Sequence, residues 1–279
     1  MTLKNTPLVS VKWLYEHFND DDLIILDASP KTNVSGLIPD YPELKIKGAR
    51  LFDLKNVFSD KNHTVTNMIP KPEVFALEAG KLGINNEHKI IVYDNLGVYT
   101  SPRVWWMFKL MGHDNIAVLD GGLKAWVEEK HPVEAFKKEN INKKGGFITE
   151  YHPEMVKDAD FILKNISTKD FKVIDARSSG RFYGRIPEPR ENMKSGHIPG
   201  SFNLPFQTVL KNGHFRSEKE LSDIFKTLKT ANSPLIFTCG SGITACIILL
   251  ASELVLTNKK ALYDGSWAEW GLGDKYPVE

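Results

Sequence analysis

The chain has 279 residues, room for two domains of ordinary size, with 42% hydrophobic and 25% charged residues as in a water-soluble globular protein. Its 36 basic and 35 acidic side chains leave a net charge of +1, without the basic excess expected of a nucleic-acid or membrane-surface binder. Two cysteines exclude a disulfide framework, and no apolar run reaches the ~18–20 residues that span a bilayer.

The first twenty residues carry Glu16 and Asp20 and no Arg, which speaks against a signal or transit peptide, so a cytoplasmic location is expected. Short aliphatic and β-branched runs at Leu23 to Leu26, Ile90 to Tyr93, Val173 to Ile174 and Leu235 to Thr238 read as buried parallel strands. Each lies beside a segment of helical spacing, so the expected fold class is α/β with mainly parallel sheets. The two halves then repeat. "LIILDAS" ends its strand at Asp27 and "KVIDARS" at Asp175; "IIVYD" reaches Asp94 and "LIFTC" reaches Cys239. "IKGARLFDL" answers "IPGSFNLPF", and "LDGGLKAW" answers "YDGSWAEW". Asp27 to Asp94 spans 67 positions and Asp175 to Cys239 spans 64. A repeat of that length means two similar domains rather than a solenoid. The expected division is 1–135, a linker at 136–149, and 150–279, the linker being rich in Lys, Asn and Gly. Its lysines, Lys137, Lys138, Lys143 and Lys144, read as a solvated stretch rather than a binding patch.

The segment "SPLIFTCGSGITACIILLASEL" carries the chemistry. A buried strand runs into Cys239, then Gly240-Ser241-Gly242, then a helix. Ligands of open α/β sheets collect at that strand edge. The helix N-terminus offers unpaired N–H groups and a partial positive charge, and the glycines let successive amides converge. An ionised sulfur, the nucleophilic form of cysteine, is favoured in such a place, and so is the outer sulfur of a persulfide. Gly240 and Gly242 are therefore expected to shape the substrate site. Cys246, inside the apolar "TACIILLA", reads as a core residue.

"CGSGIT" resembles the active-site loop of the mercaptopyruvate sulfurtransferase branch of the rhodanese family, which implies that Ile243 and Thr244 line the substrate site with the two glycines. "SPRVWWMFKLMGH", "LDGGLKAW", "DARSSGRF", "EPR", "GHIPGSFNLPF" and "YDGSWAEWG" agree with it in family order over most of the chain. The resemblance implies tandem rhodanese domains, with Cys239 as nucleophile of the C-terminal one and Asp94 at the cysteine position of a non-catalytic N-terminal one. It implies 3-mercaptopyruvate as donor, and a thiol, a thioredoxin-like protein or cyanide as acceptor. No metal or organic cofactor is implied, nor nucleic acid or membrane. Thiosulfate as donor, and a non-catalytic sulfur-carrier or interaction module, are the alternatives. A phosphatase of related fold fits poorly, because Cys-x5-Arg would require Arg where Ala245 stands.

The thiosulfate branch sets basic side chains after the cysteine, where this chain has neutral Gly240 and Ser241. The resemblance matches Arg181 and Arg190 to the pair that holds the donor, and Arg is suited to a carboxylate by its planar fork. Ser241 is the candidate donor to the substrate carbonyl or departing enolate, with a helix N-cap as its plainer role. Arg185 reads as a surface residue, Arg177 and Asp175 as supports of the loop, His197 as part of a shaped turn, and Trp105 and Trp106 as packing residues. His63 and Asp60 are weaker candidates. Some family members have "HMLP" where this chain has "NMIP", so Asn67 stands in place of a histidine and a Ser-His-Asp relay is in doubt.

Overall fold

The computed structural model describes residues 3, 6–137, 144–230 and 232–279, which puts Lys138 and Lys143 of the expected linker outside the described residues. The chain divides into two compact units: Met1–Lys61, Ile69–His152 and Asn212–Phe215 form unit 1, and Asn62–Met68, Pro153–Lys211 and Arg216–Glu279 form unit 2. Each unit therefore includes one short segment from the other half of the sequence.

Unit 1 contains β1 (Leu8–Val9), α1 (Val11–Glu16), β2 (Leu23–Asp27), β3 (Leu44–Ile46), β4 (Arg50–Leu51), α2 (Pro72–Lys81), β5 (Lys89–Tyr93), α3 (Ser101–Leu110), β6 (Ile116–Leu119), α4 (Gly122–Glu128) and β7 (Val133–Ala135). Five strands form one sheet in the order β1-β6-β5-β2-β4 with every neighbour parallel. β3 and β7 pair as a separate antiparallel ribbon. The central run Ile90 to Tyr93 is wholly inaccessible, which is why it reads as continuously apolar: a parallel sheet is covered on both faces. Residues 145–148 pack on this unit, through hydrogen bonds of Gly145 N–H to Gly80 O and Gly146 N–H to Asn85 Oδ1 and the burial of Phe147.

Unit 2 contains β8 (Val156–Lys157), α5 (Ala159–Thr168), β9 (Lys172–Asp175), α6 (Ser179–Phe182), β10 (Phe202–Asn203), β11 (Leu210–Lys211), α7 (Glu218–Thr227), β13 (Leu235–Thr238), α8 (Ala245–Glu253), β14 (Lys260–Tyr263) and α9 (Ser266–Trp270), while β12 (His214–Phe215) lies in the segment assigned to unit 1. Its sheet runs β8-β14-β13-β9-β10, again all parallel. That is the unit 1 order with each strand replaced by its repeat counterpart, so the two-domain α/β expectation holds. Asp158 caps α5 by accepting from Phe161 N–H, and Ser217 with Glu220 forms a capping box on α7. Residues Ala245 to Ser252 of α8 are all buried, so this helix is apolar on every side. Asp27 pairs in register with Tyr93, and Asp175 with Thr238. Asp94 and Cys239 are thus each the first residue beyond the C-terminal edge of a central strand. No helix among the described residues is long and apolar enough to cross a membrane.

Candidate active site

Cys239 leaves β13 with only 2% of its surface exposed. Its main chain is held at both ends. The Cys239 N–H donates to Ser266 Oγ at 3.3 Å, and its carbonyl accepts from Trp267 N–H at 2.9 Å. The Gly240 carbonyl accepts from Ala268 N–H at 2.9 Å and from Arg190 Nη1 at 3.3 Å. Gly242, at φ +76°, supplies the left-handed turn into α8 that a side chain would resist. Among the described residues, the amides of Gly240, Ser241, Ile243, Thr244 and Ala245 donate to no acceptor within the chain. Gly240, Ser241 and Ala245 are buried and Ile243 and Thr244 half-buried; amides so shielded are rarely left unpaired, so the loop is chemically suited to an anion.

Unit 1 has the same loop already filled. Asp94 is fully buried, and its Oδ2 accepts from the amides of Tyr99 (2.8 Å), Thr100 (2.9 Å) and Ser101 (2.9 Å) and from Ser101 Oγ (2.7 Å). Its Oδ1 accepts from Leu96 N–H at 3.0 Å. Burial pushes this carboxyl above its ordinary range, and the hydrogen bonds pull it back. The counterparts of these donors in unit 2 are the unpaired amides around Cys239.

Arg181 and Arg190 stand beside Gly240. A β-carbon built on Gly240 would lie 3.1 Å from Arg181 Nη2, tighter than an ordinary contact, and 3.7 Å from Arg190 Nη1, so the missing side chain eases the approach of Arg181 while Arg190 lies at contact distance. Arg181 is held from behind by Glu188, with Nη2 to Oε2 at 2.5 Å and Nε to Oε1 at 3.2 Å. Glu188 also accepts from Arg177 Nη1 at 2.9 Å. Arg177 in turn grips Asp175 through Nη2 at 2.7 Å and Nε at 2.9 Å, donates to Gly196 O, and lies 4.1 Å over the Trp267 ring. The Arg177 and Glu188 side chains are 0% and 1% exposed. An ion chain so deeply buried demands complete pairing, and it orients Arg181, while Arg190 is tied, among the described residues, to the loop carbonyl of Gly240.

Ser241 is buried, and its Oγ accepts from Asn67 Nδ2 at 3.1 Å. Asn67 adopts φ +66°, a conformation Asn tolerates. Ser241 does not cap α8; Thr244 holds that position, with no side-chain hydrogen bond. Cys246 is fully buried and donates its thiol to Gly242 O at 3.3 Å. His197 stacks on Phe182 at 3.9 Å, lies 3.0 Å through Nδ1 from Phe182 O, and exchanges backbone hydrogen bonds with Glu279. Arg185 is exposed beside Tyr183, and His63 accepts from Val65 N–H within its own turn. Trp105 and Trp106 are buried in α3. Among the described residues no cluster of His, Cys, Asp and Glu is placed to hold a metal ion.

Two contributors escape sequence reasoning. Glu188 sits inside "EPR", but only its approach to Arg177 and Arg181 reveals its use. Ser266 stands where the repeat has Gly122, a substitution visible in "DGSW" against "DGGL".

The model of the rhodanese-like domain matches residues 10–129 and 158–272. The 3-mercaptopyruvate sulfurtransferase of Mus musculus is 38% identical over 94% of this chain and 91% of its own length. The thiosulfate sulfurtransferase of Cricetulus griseus is also 38% identical, with the same coverage of 94% and 91%. The crystal structure of SseA from Escherichia coli, described under the rhodanese fold and 3-mercaptopyruvate sulfotransferases, superposes with a TM-score of 0.81 at 33% identity, covering 94% of this chain and 99% of that one. The repeated α/β units, the strand-end cysteine and these likenesses lead to one conclusion: the chain belongs to the rhodanese-like family, as a tandem-domain sulfurtransferase of the 3-mercaptopyruvate/thiosulfate sulfurtransferase group.

Proposed function

We propose that this enzyme takes sulfur from 3-mercaptopyruvate, carries it as a persulfide on Cys239, and delivers it to a thiol, a thioredoxin-like protein or cyanide. The observation that carries the reading is the pair of guanidinium groups, Arg181 and Arg190, beside the bare Gly240 next to the cysteine. A ketoacid carboxylate meets two permanent charges there, one of them braced by Glu188. The catalytic domain is 150–279, and 1–135 is its non-catalytic partner.

The Cys239 thiolate attacks the donor sulfur. A sulfur–sulfur bond forms as the carbon–sulfur bond breaks, and the electron pair leaves with pyruvate as its enolate. The donor's thiol proton balances the methyl carbon that results. Ser241, its oxygen engaged by Asn67, has its O–H free to donate to the enolate oxygen as charge develops. The unpaired amides of Ser241, Ile243, Thr244 and Ala245, with Gly240 and Gly242 shaping the turn, are the donors offered to the persulfide anion. An acceptor thiolate then attacks the outer sulfur and returns Cys239. No cofactor, nucleic acid or membrane enters this reading, and its setting is cytoplasmic.

Thiosulfate is the second reading, favoured by the equal likeness to the hamster thiosulfate enzyme. Steady-state rates on both donors decide between them. A kcat/KM clearly higher for 3-mercaptopyruvate, lowered by Arg181→Ala and Arg190→Ala, is the expected result; preference for thiosulfate rejects the donor assignment. Peptide mass mapping after incubation with 3-mercaptopyruvate is expected to find one added sulfur on Cys239. Unchanged turnover in Cys239→Ser would remove the thiol from the mechanism.

A further inference from the structure

Ser266 is fully buried and adopts φ +51°, a left-handed conformation that L side chains resist. Gly122, its repeat counterpart, sits at φ +57°. In unit 1 Leu123 N–H donates to Asp94 O at 3.0 Å, and in unit 2 Trp267 N–H donates to Cys239 O at 2.9 Å, so the two turns clasp the two loops alike. They differ in one atom group. A β-carbon on Gly122 would come within 2.4 Å of Asp94 O, so unit 1 has no room for a side chain there. Unit 2 makes room, and the Ser266 hydroxyl donates to Tyr263 O at 2.9 Å while its oxygen accepts from Cys239 N–H.

The difference has a chemical reason. The Asp94 side chain anchors its own loop through five hydrogen bonds. A nucleophile cannot be anchored in that way, because its side chain must change covalently during turnover. We propose that Ser266 is a positioning residue for sulfur transfer: it fixes the Cys239 peptide from the main-chain side so that the sulfur is aimed without being bound. Fixing a nucleophile in a near-attack position acts on kcat rather than on donor binding.

The inference rests on Cys239 as nucleophile, and the test separates the two. Ser266→Gly installs the residue that the same turn carries in unit 1, removes the hydroxyl and relieves the left-handed backbone. The expected result is a kcat lowered about tenfold or more with both 3-mercaptopyruvate and thiosulfate, KM within about twofold, and an unchanged or raised melting temperature. Single-turnover persulfide formation, followed by mass, slows by the same factor. A kcat equal to wild type overturns the proposal. So does a loss of kcat that accompanies a lowered melting temperature, since the residue would then serve the fold alone. Cys239→Ser measured alongside retains activity only if the nucleophile assignment itself is wrong.

Discussion

Replacing Asp94 with Ala empties the filled loop of unit 1. Five donors, the amides of Leu96, Tyr99, Thr100 and Ser101 and the Ser101 hydroxyl, lose their acceptor at a site with no solvent exposure. Each buried donor left unpaired costs about 1 kcal/mol or more, which sums to about 5 kcal/mol. Removing a buried carboxylate gives back part of its desolvation, and a water entering the space pairs some donors, so the net loss is about 3 kcal/mol. Urea unfolding followed by tryptophan fluorescence measures it, with Trp105 and Trp106 reporting from α3, whose first residue, Ser101, supplies two of the donors. The curve is fitted with more than one transition, because a two-unit chain need not unfold in one step. Amide hydrogen exchange at Tyr99, Thr100 and Ser101 gives the local reading, and these amides should lose protection in the variant. A stability loss under about 1 kcal/mol with protection intact would refute the idea that the carboxylate organises this loop.

Other outcomes follow from the same geometry. Glu188→Gln removes the charge shared by Arg177 and Arg181; it should cost about 3 kcal/mol of stability and raise KM for 3-mercaptopyruvate about tenfold, and an unchanged KM would confine Glu188 to the fold. Asn67→Ala deletes the 3.1 Å hydrogen bond to Ser241 Oγ, worth about 1 kcal/mol. It should lower kcat on 3-mercaptopyruvate about fivefold and leave thiosulfate turnover, which forms no enolate, unaltered; equal losses on both donors would argue against the Ser241 role. His113 is 3% exposed, its Nε2 has no partner among the described residues, and burial lowers its pKa from 6.5 to about 4. The unfolded chain therefore binds this proton first as pH falls, so stability declines from about pH 6.5 and levels off near pH 4, by up to about 3 kcal/mol. Denaturant midpoints at several pH values should show that slope in the wild type and a shallower one in His113→Gln; identical slopes would contradict it.

The α/β class and its duplication were legible because they are local and periodic. Apolar runs such as "IIVYD" and "LIFTC" announce strands covered on both faces, and matched landmarks at similar spacing announce a second copy. The strand order then came out identical in both units, as duplication requires. Cys239 was legible for a similar reason: a strand, a thiol, two glycines and a helix are contiguous, so chain geometry alone brings the thiol to a helix start.

The supports of the site were not legible, because their pairing is set by folded loop and sheet geometry and leaves no periodic mark in the sequence, whether the partners lie 7 positions apart as Arg181 and Glu188 do or 174 as Asn67 and Ser241 do. Glu188 among many acidic residues carries no mark of its pairing until β9 and the loop after α6 bring Arg177 and Arg181 to it. Asn67 lies 174 positions from Ser241, and only folding sets its amide against the hydroxyl. Ser266 accepts from the Cys239 amide because parallel β13 and β14 end side by side, a register no local pattern encodes. The sequence by itself determined which elements form and that a cysteine stands between a central strand and a helix start, since both follow from neighbours along the chain. Tertiary structure alone decided which side chains brace it, since hydrogen bonds and ion pairs depend on distance in space and every acidic, amide or hydroxyl residue is an equal candidate until the sheet sets those distances.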